Sequence, residues 1–343
     1  MNGKMKVLYL LNHAGGGGSE RYIQSLVGSL SERIEPVFVY NEPGKLSDTL
    51  RSRGVICRQL KMKSPFDFGA ARKLSKICRE FQIDLIHTHF MRENAIAVWA
   101  KWFCNVHVVN TVHMQTPKSG LALRMNRFIS RYCANIAVSR AVLNNLKREC
   151  KGVARMIYNG VALPESKTTD DLPERKLRVL SLGRFSAEKG MSFLVKAAAQ
   201  LPDLDFTIAG DGEELTQCSA IASDNVTFPG YVNDTSALYR SADIYVCPSL
   251  EEALGLSVLE AMSYGIPAVV TNAGGLPEIV DDTCGVIVQP SDENELASAI
   301  RRLAENPELR KTPGANARKR IEDKFSLQAM SEQTFELYTE VLQ

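Results

Sequence analysis

The chain has no apolar run long enough to cross a bilayer or to form the core of a secretion signal. The first such run, Val7–Leu11, is five residues long and ends in Asn12-His13. A cytoplasmic protein is expected on that ground. No Cys-x-x-Cys pair occurs among the eight cysteines, at positions 57, 78, 104, 133, 150, 218, 247 and 284. That spacing argues against a structural zinc site and a disulfide framework, and reduced, mostly buried thiols are expected instead. A hydrophobic share of 45%, a charged share of 23% and a mean hydropathy of -0.13 exclude disordered, fibrous and membrane-spanning classes. The 343 residues suit two domains of ordinary size or one large α/β barrel.

Charge is what the chain distributes unevenly. Residues 1–160 hold 25 Lys and Arg against 10 Asp and Glu, while residues 161–343 hold 16 against 29. A basic half suits nucleic acid, anionic lipid or an anionic substrate, and an acidic half supplies carboxylates for hydroxyl-rich or cationic groups; opposite potentials also favour closure of two lobes on each other.

Lys6–Leu11, Gly15–Gly18 and the helically spaced Ser19–Leu26 read as strand, tight loop and helix. Further strands are expected at Pro36–Tyr40, Asp84–His87, Val106–Thr111 and Asn135–Val138, with helices such as Phe68–Phe81 and Leu121–Cys133 between them. Such alternation predicts a parallel sheet covered by helices on both faces. A polar, proline-bounded stretch at 162–176 reads as a linker, after which strands resume at Arg178–Leu182, Phe206–Ala209, Ile244–Cys247, Ala268–Thr271 and Gly285–Val288. Two doubly wound domains facing a cleft are expected, with ligands at the carboxyl ends of the strands. A last helix, Ser326–Leu342, is long enough to cross back onto the first domain.

The glycine loop fails the dinucleotide fingerprint, because Glu20 stands where the third small residue belongs. Its glycines still allow a backbone to approach a ligand at a helix N-terminus, or simply make a tight turn. Arg184 and Lys189 follow a strand in Gly183-Arg184-Phe185-Ser186-Ala187-Glu188-Lys189-Gly190, and two cations there suit a diphosphate. Glu252 and Glu260 stand eight positions apart, the first in a loop and the second about two turns into a helix; each carboxylate can accept two hydroxyl hydrogens.

In these segments, together with Ile86-His87-Thr88-His89, Thr111-Val112-His113, Val138-Ser139, Tyr158-Asn159-Gly160-Val161, Gly210-Asp211-Gly212, Pro248-Ser249 and Gly274-Gly275-Leu276-Pro277-Glu278, the sequence resembles a retaining glycosyltransferase of GT-B fold, in the family-four group of bacterial cell-envelope and polysaccharide synthesis. The resemblance covers nearly the whole chain. It implies an acceptor-side Rossmann-like domain over 1–163, joined by the helix 326–343, and a donor-binding Rossmann-like domain over 172–325.

Residue by residue, it implies that Arg184 and Lys189 grip a donor diphosphate, Glu260 the ribose hydroxyls and Glu252 the transferred sugar. Gly16 and Gly17 would bring backbone amides to the phosphate or sugar, and His113 would lie near the transferred sugar. Gly183, Gly255, Leu256 and Val232 complete the expected nucleotide-binding set, Val232 bordering the base. Leu254 departs from the phenylalanine usual in the family. The substrate implied is a nucleotide-diphosphate sugar, a UDP-sugar before GDP-mannose, and the acceptor a hydroxyl on a lipid-linked or polysaccharide precursor. No metal or other cofactor is required, since Arg184, Lys189 and the helix start at Gly255–Ser257 would stabilise the leaving phosphate. A nucleotide-sugar 2-epimerase of the same fold and a non-catalytic sugar-nucleotide-binding protein are the alternatives.

Two metal-like patterns are read as structural. Asp203-Leu204-Asp205 precedes a strand and belongs at its outer end, and His87-Thr88-His89 is expected to place its side chains on opposite faces if extended. Lys61, Lys63, Arg124, Arg127 and Arg131, the last three on a helix with Leu121, Leu123, Phe128, Ile129 and Tyr132, form a basic amphipathic stretch. It suits either a solvated face or peripheral contact with the anionic inner face of the cell membrane. Nucleic acid is not an expected partner, because no aromatic platform accompanies the charge.

Overall fold

In the computed structural model, residues 3–15, 17–113, 120–149, 152–164 and 175–343 are described. The chain divides into two compact units, Met1–Asn159 with Leu327–Gln343, and Gly160–Ser326. Expected positions Gly16 and Cys150, and most of the linker at 165–174, lie outside the described residues.

The first unit is built on seven parallel strands: β1 (Met5–His13), β2 (Ile34–Glu42), β3 (Ile56–Gln59), β4 (Leu85–Thr88), β5 (His107–Val112), β6 (Ala134–Ala137) and β7 (Ala154–Met156). Their spatial order is β3-β2-β1-β4-β5-β6-β7, so the order reverses between β1 and β4. Period-two alternation sends Val7, Tyr9 and Leu11 to one face and Leu8 and Leu10 to the other, and both faces are buried. Helices α1 (Gly18–Ser29) and α2 (Lys45–Ser52) cover the first face; α3 (Phe68–Glu80), α4 (Met91–Ala100) and α5 (Gly120–Ile129) cover the second, and α6 (Arg140–Glu149) leads into β7. The expected helix Leu121–Cys133 is shorter, because the chain tightens to a 3-10 turn at Ser130–Tyr132.

The second unit has six parallel strands: β8 (Arg178–Leu182), β9 (Asp205–Ala209), β10 (Val226–Thr227), β11 (Ile244–Cys247), β12 (Ala268–Thr271) and β13 (Gly285–Val288), in the order β10-β9-β8-β11-β12-β13. The reversal here lies between β8 and β11. Helices α7 (Met191–Ala199), α8 (Leu215–Ala220), α9 (Ser236–Ser241), α10 (Leu256–Ser263), α11 (Leu276–Ile279), α12 (Glu293–Glu305) and α13 (Glu308–Lys324) alternate with them. Val179, Phe206, Ile208, Ile244 and Val246 pack with Leu194 and Val195 of α7 and Leu296 and Ile300 of α12 into one core.

The final helix α14 (Leu327–Leu342) belongs to the first unit. Met330, Leu337 and Tyr338 enter its core, and Arg33–Glu332 at 2.9 Å and Arg155–Glu340 at 2.8 Å tie the helix exterior down. The outgoing and returning chains meet where the Val161 amide donates to the Phe325 carbonyl at 3.0 Å.

Candidate active site

A reversal of strand order leaves the loops that follow its two strands diverging to opposite faces of the sheet, and a crevice opens between them. In the second unit those loops follow β8 and β11, and they carry Arg184, Lys189 and Glu252, with Glu260 on the helix beyond. The Lys189 ammonium donates to Glu252 Oε2 at 2.6 Å across 63 residues of sequence. Two backbone bonds hold the loops together: the amides of Leu250 and Glu251 donate to the Glu188 carbonyl at 2.8 and 3.2 Å. Gly190 makes the close approach possible. Its φ is 62°, and a Cβ there would stand 2.3 Å from the Pro248 carbonyl oxygen.

Burial pulls the Lys189 ammonium down, but Glu252, with Cys247 and Glu188 nearby, outweighs it, and the net direction is upward; the lysine stays charged. Arg184 is exposed and makes no hydrogen bond or ion pair among the described residues. Gly183 sits at the end of β8 and its amide donates to the Ala209 carbonyl at 3.1 Å.

The Glu252 loop is supported from behind by the turn after β12. The Gly275 amide donates to the Glu252 carbonyl at 3.1 Å, and Gly274, at φ 53°, lies so close that a Cβ would meet that carbonyl oxygen at 1.7 Å. Thr271 Oγ1 donates to the Ser249 carbonyl. Gly255, at φ 109°, caps α10; Leu256 is its first residue, and Leu254 is 1% exposed, part of the packing under the loop. Glu260 lies little more than one turn into α10, not two, because the helix begins only at Leu256. Tyr239, which the sequence did not single out, donates its hydroxyl to Glu260 Oε2 at 2.8 Å. Val232 is half-buried in the loop before α9. Asp203 and Asp205 stand at the opposite, amino end of β9, where Arg301 grips Asp203 through two bonds of 2.6 and 2.7 Å.

In the first unit, Gly17 caps α1 beside the carboxyl end of β1. His113 follows β5, and His89 Nδ1 lies 3.1 Å from His113 Nε2. His87 Nε2 lies 2.7 Å from Thr111 Oγ1, and its Nδ1 is hydrogen-bonded to the Tyr338 hydroxyl of α14. His87 and His89 do not point to opposite faces. Their rings stack at 4.6 Å, since residues two apart on extended backbone share a face. Burial lowers His87 to about 3 and His113 to about 4, and burial with both neighbouring rings lowers His89 as well, so all three imidazoles are neutral at pH 7. Glu93 at the start of α4 was also not foreseen. Its Oε1 accepts the Asn12 amide at 2.6 Å, and burial raises its carboxyl against the pull of that hydrogen bond and of Arg92. Among the described residues, no group of three or more His, Cys, Asp or Glu is arranged to hold a metal ion. The seven described cysteines are free thiols, five of them buried.

Residues 16–164 match the family described as Glycosyltransferase Family 4, and residues 164–320 match Glycosyl transferases group 1. The chain is 29% identical over 295 residues to a phosphatidyl-myo-inositol mannosyltransferase of Mycolicibacterium smegmatis, covering 80% of this chain and 76% of the relative. It is 34% identical over 176 residues to an alpha-D-kanosaminyltransferase of Streptomyces kanamyceticus, less than half of either length. In three dimensions it is similar to Anabaena HepE in complex with UDP-glucose (TM-score 0.88, 23% identity, 98% of this chain and 100% of that one). A glycosyltransferase from Rickettsia africae is comparable (TM-score 0.87, 20% identity, 99% of each chain). Two reversed-order parallel sheets, with the family segments lying end to end along them, carry the same conclusion: the chain belongs to the family-four, group-1 glycosyltransferases and has their two-domain α/β GT-B fold.

Proposed function

We propose that the protein transfers a sugar, with retention of anomeric configuration and without a metal, from a nucleotide-diphosphate sugar to a hydroxyl acceptor. A UDP-sugar is the favoured donor and GDP-mannose the second. The observation that carries this reading is the Lys189–Glu252 pair at 2.6 Å, with the exposed Arg184 close by in sequence and Glu260 on the helix that follows.

Each group has a part in the chemistry. As the bond between the anomeric carbon and the diphosphate oxygen breaks, positive charge grows on the sugar and negative charge on the phosphate. Arg184 and Lys189 stabilise the phosphate, helped by the amides at the start of α10 from Gly255 and Leu256. Gly183 lets the loop backbone come near the diphosphate, and Glu260 accepts hydrogen bonds from the ribose hydroxyls. Glu252 holds hydroxyls of the sugar, while Val232 borders the base. The acceptor oxygen bonds to the anomeric carbon on the face the phosphate leaves, and its proton passes to a phosphate oxygen. From the first unit, Gly17 would offer a backbone amide, and neutral His113 a hydrogen bond, to the sugar.

Support for UDP comes from the HepE complexes with UDP and UDP-glucose. Support for a lipid-linked or polysaccharide acceptor comes from relatives named as a phosphatidyl-myo-inositol mannosyltransferase and a lipopolysaccharide core glycosyltransferase. On this reading the enzyme works in the cytoplasm, at the anionic inner face of the membrane. No described helix is long and apolar enough to cross a membrane.

The test is a thermal-shift screen with UDP, GDP, ADP and their sugar conjugates, with chelator and with magnesium, because a ligand bound only by the native state raises its melting temperature. Stabilisation by uridine nucleotides in chelator is expected. No shift with any nucleotide, or a shift only with magnesium, overturns the donor assignment.

A further inference from the structure

The first unit exposes a ridge of aromatic rings contributed by three separate helices. Trp102, just past the end of α4, is 64% exposed and stacks on Phe68 of α3 with ring centres 6.3 Å apart. Trp99 lies beneath, 4.9 Å from Trp102 and 6.0 Å from Phe128 of α5, and Phe128 is 5.2 Å from Tyr132. The Trp99 indole donates to the Pro65 carbonyl at 2.8 Å, which anchors the turn carrying Phe66, itself 51% exposed. Leu121, 72% exposed, stands two helical turns before Phe128 on α5. Large apolar groups exposed singly need no explanation, but a contiguous patch marks a contact surface.

The charge around the ridge selects the partner. From Asn94 to Arg148 the sequence contains no Asp or Glu and eight Lys or Arg. Arg124, Arg127 and Arg131 are exposed beside the ridge and make no side-chain hydrogen bond or ion pair among the described residues. The acid nearest in sequence to Phe66 and Phe68 is Asp67, whose carboxylate is occupied by the amides of Ala70 and Lys63 at 2.9 and 3.1 Å. Tryptophan and tyrosine prefer the level of lipid headgroups, and arginine pairs with phosphate there.

We propose that this ridge is a membrane-docking face, in which Phe66, Phe68, Trp102, Leu121 and Phe128 enter the headgroup boundary and the three arginines hold anionic lipid phosphates. The proposal gives a specific face to the membrane surface named in the proposed function. It differs from a charged helix lying on a surface, since three helices contribute and aromatic insertion supplies much of the hold. Donor turnover in solution tests the transferase reading; vesicle partition tests this one.

The chain carries its own reporter, because its only two tryptophans, Trp99 and Trp102, both belong to the ridge. The experiment mixes the full-length protein with phosphatidylcholine vesicles containing phosphatidylglycerol, and with pure phosphatidylcholine as control, and reads tryptophan emission and co-sedimentation. A blue shift and sedimentation with the anionic vesicles are expected. Trp102→Phe should abolish most of the shift while retaining sedimentation, and Phe128→Ser should weaken partition roughly tenfold. Arg124→Gln and Arg131→Gln should each weaken it about fivefold. All four side chains are exposed, so unchanged melting temperatures verify the fold of the variants. No shift and no sedimentation with anionic vesicles overturn the proposal, as does equal binding to neutral ones. A blue shift that follows protein concentration without vesicles also overturns it and assigns the ridge to a second copy of the chain.

Discussion

Lys189 and Glu252 form an ion pair at 2.6 Å although one follows β8 and the other follows β11, 63 residues later. Both side chains are substantially buried, at 26% and 16% exposure. Removing one partner leaves the other charge poorly solvated, so the pair joins stability to chemistry. Lys189→Ala is expected to cost about 3 kcal/mol of stability. On the proposed roles it lowers transfer by roughly a hundredfold or more. The double variant Lys189→Met with Glu252→Gln separates the two effects. Calorimetry should show most of the stability recovered, while the transfer assay stays near zero; recovered activity would refute both assigned roles.

Tyr239 offers a second test, since its hydroxyl bonds Glu260 at 2.8 Å and is itself buried. Tyr239→Phe removes one hydrogen bond to a carboxylate and leaves the ring packing on Tyr264 intact. Nucleotide affinity measured by titration calorimetry is expected to fall roughly tenfold. A positioning role predicts that the maximal rate with saturating donor stays within about twofold. Unchanged affinity would leave Tyr239 with its packing and its 3.2 Å bond to the Ser257 carbonyl.

The histidine stack predicts a pH dependence of known sign. His87 and His113 have folded-state values near 3 and 4, below the ordinary value of 6.5, so the unfolded chain binds protons that the folded chain does not. Their neutral burial is without cost above the ordinary value, and stability falls as the pH drops from about 6.5 towards 4. Denaturant melts across that range should show a declining unfolding free energy, with a shallower slope in His113→Asn. A flat profile would mean that the imidazoles are reached by solvent.

Gly274 tests the support behind the glutamate loop. Gly274→Ala forces a Cβ into the Glu252 carbonyl and is expected to cost several kcal/mol, more than the ~1–2 kcal/mol of left-handed strain alone. Gly54→Ala is the control: its φ is 81° but a Cβ there meets nothing within 4 Å, so only the strain remains. Equal melting temperatures for the two variants would show that the loop yields freely.

Strand positions were legible where an apolar run is bounded by turn residues. Arg178–Leu182, Ile244–Cys247, Ala268–Thr271 and Gly285–Val288 are strands with the bounds their sequences suggest. The strands β3, β7 and β10 were not legible. They lie at sheet edges and are half-exposed, so nothing in Ile56–Gln59 or Ala154–Met156 demands an apolar pattern. His87 and His89 share a face, since alternation puts neighbours, not next-neighbours, on opposite faces.

By itself the sequence determined the alternation of strands and helices, the two-unit α/β architecture, the loops that hold Arg184, Lys189 and Glu252 and the helix that holds Glu260, because local periodicity and turn chemistry act over a few residues. Only the tertiary structure decided which of those side chains meet. Lys189 reaches Glu252 because the strand order reverses between β8 and β11, and Tyr239 reaches Glu260 because α9 packs near α10. Phe68, Trp102 and Phe128 make one surface because α3, α4 and α5 cover the same sheet face. Contacts of that kind join positions far apart in the chain, and burial across the whole sheet, not the pattern of any one segment, sets them.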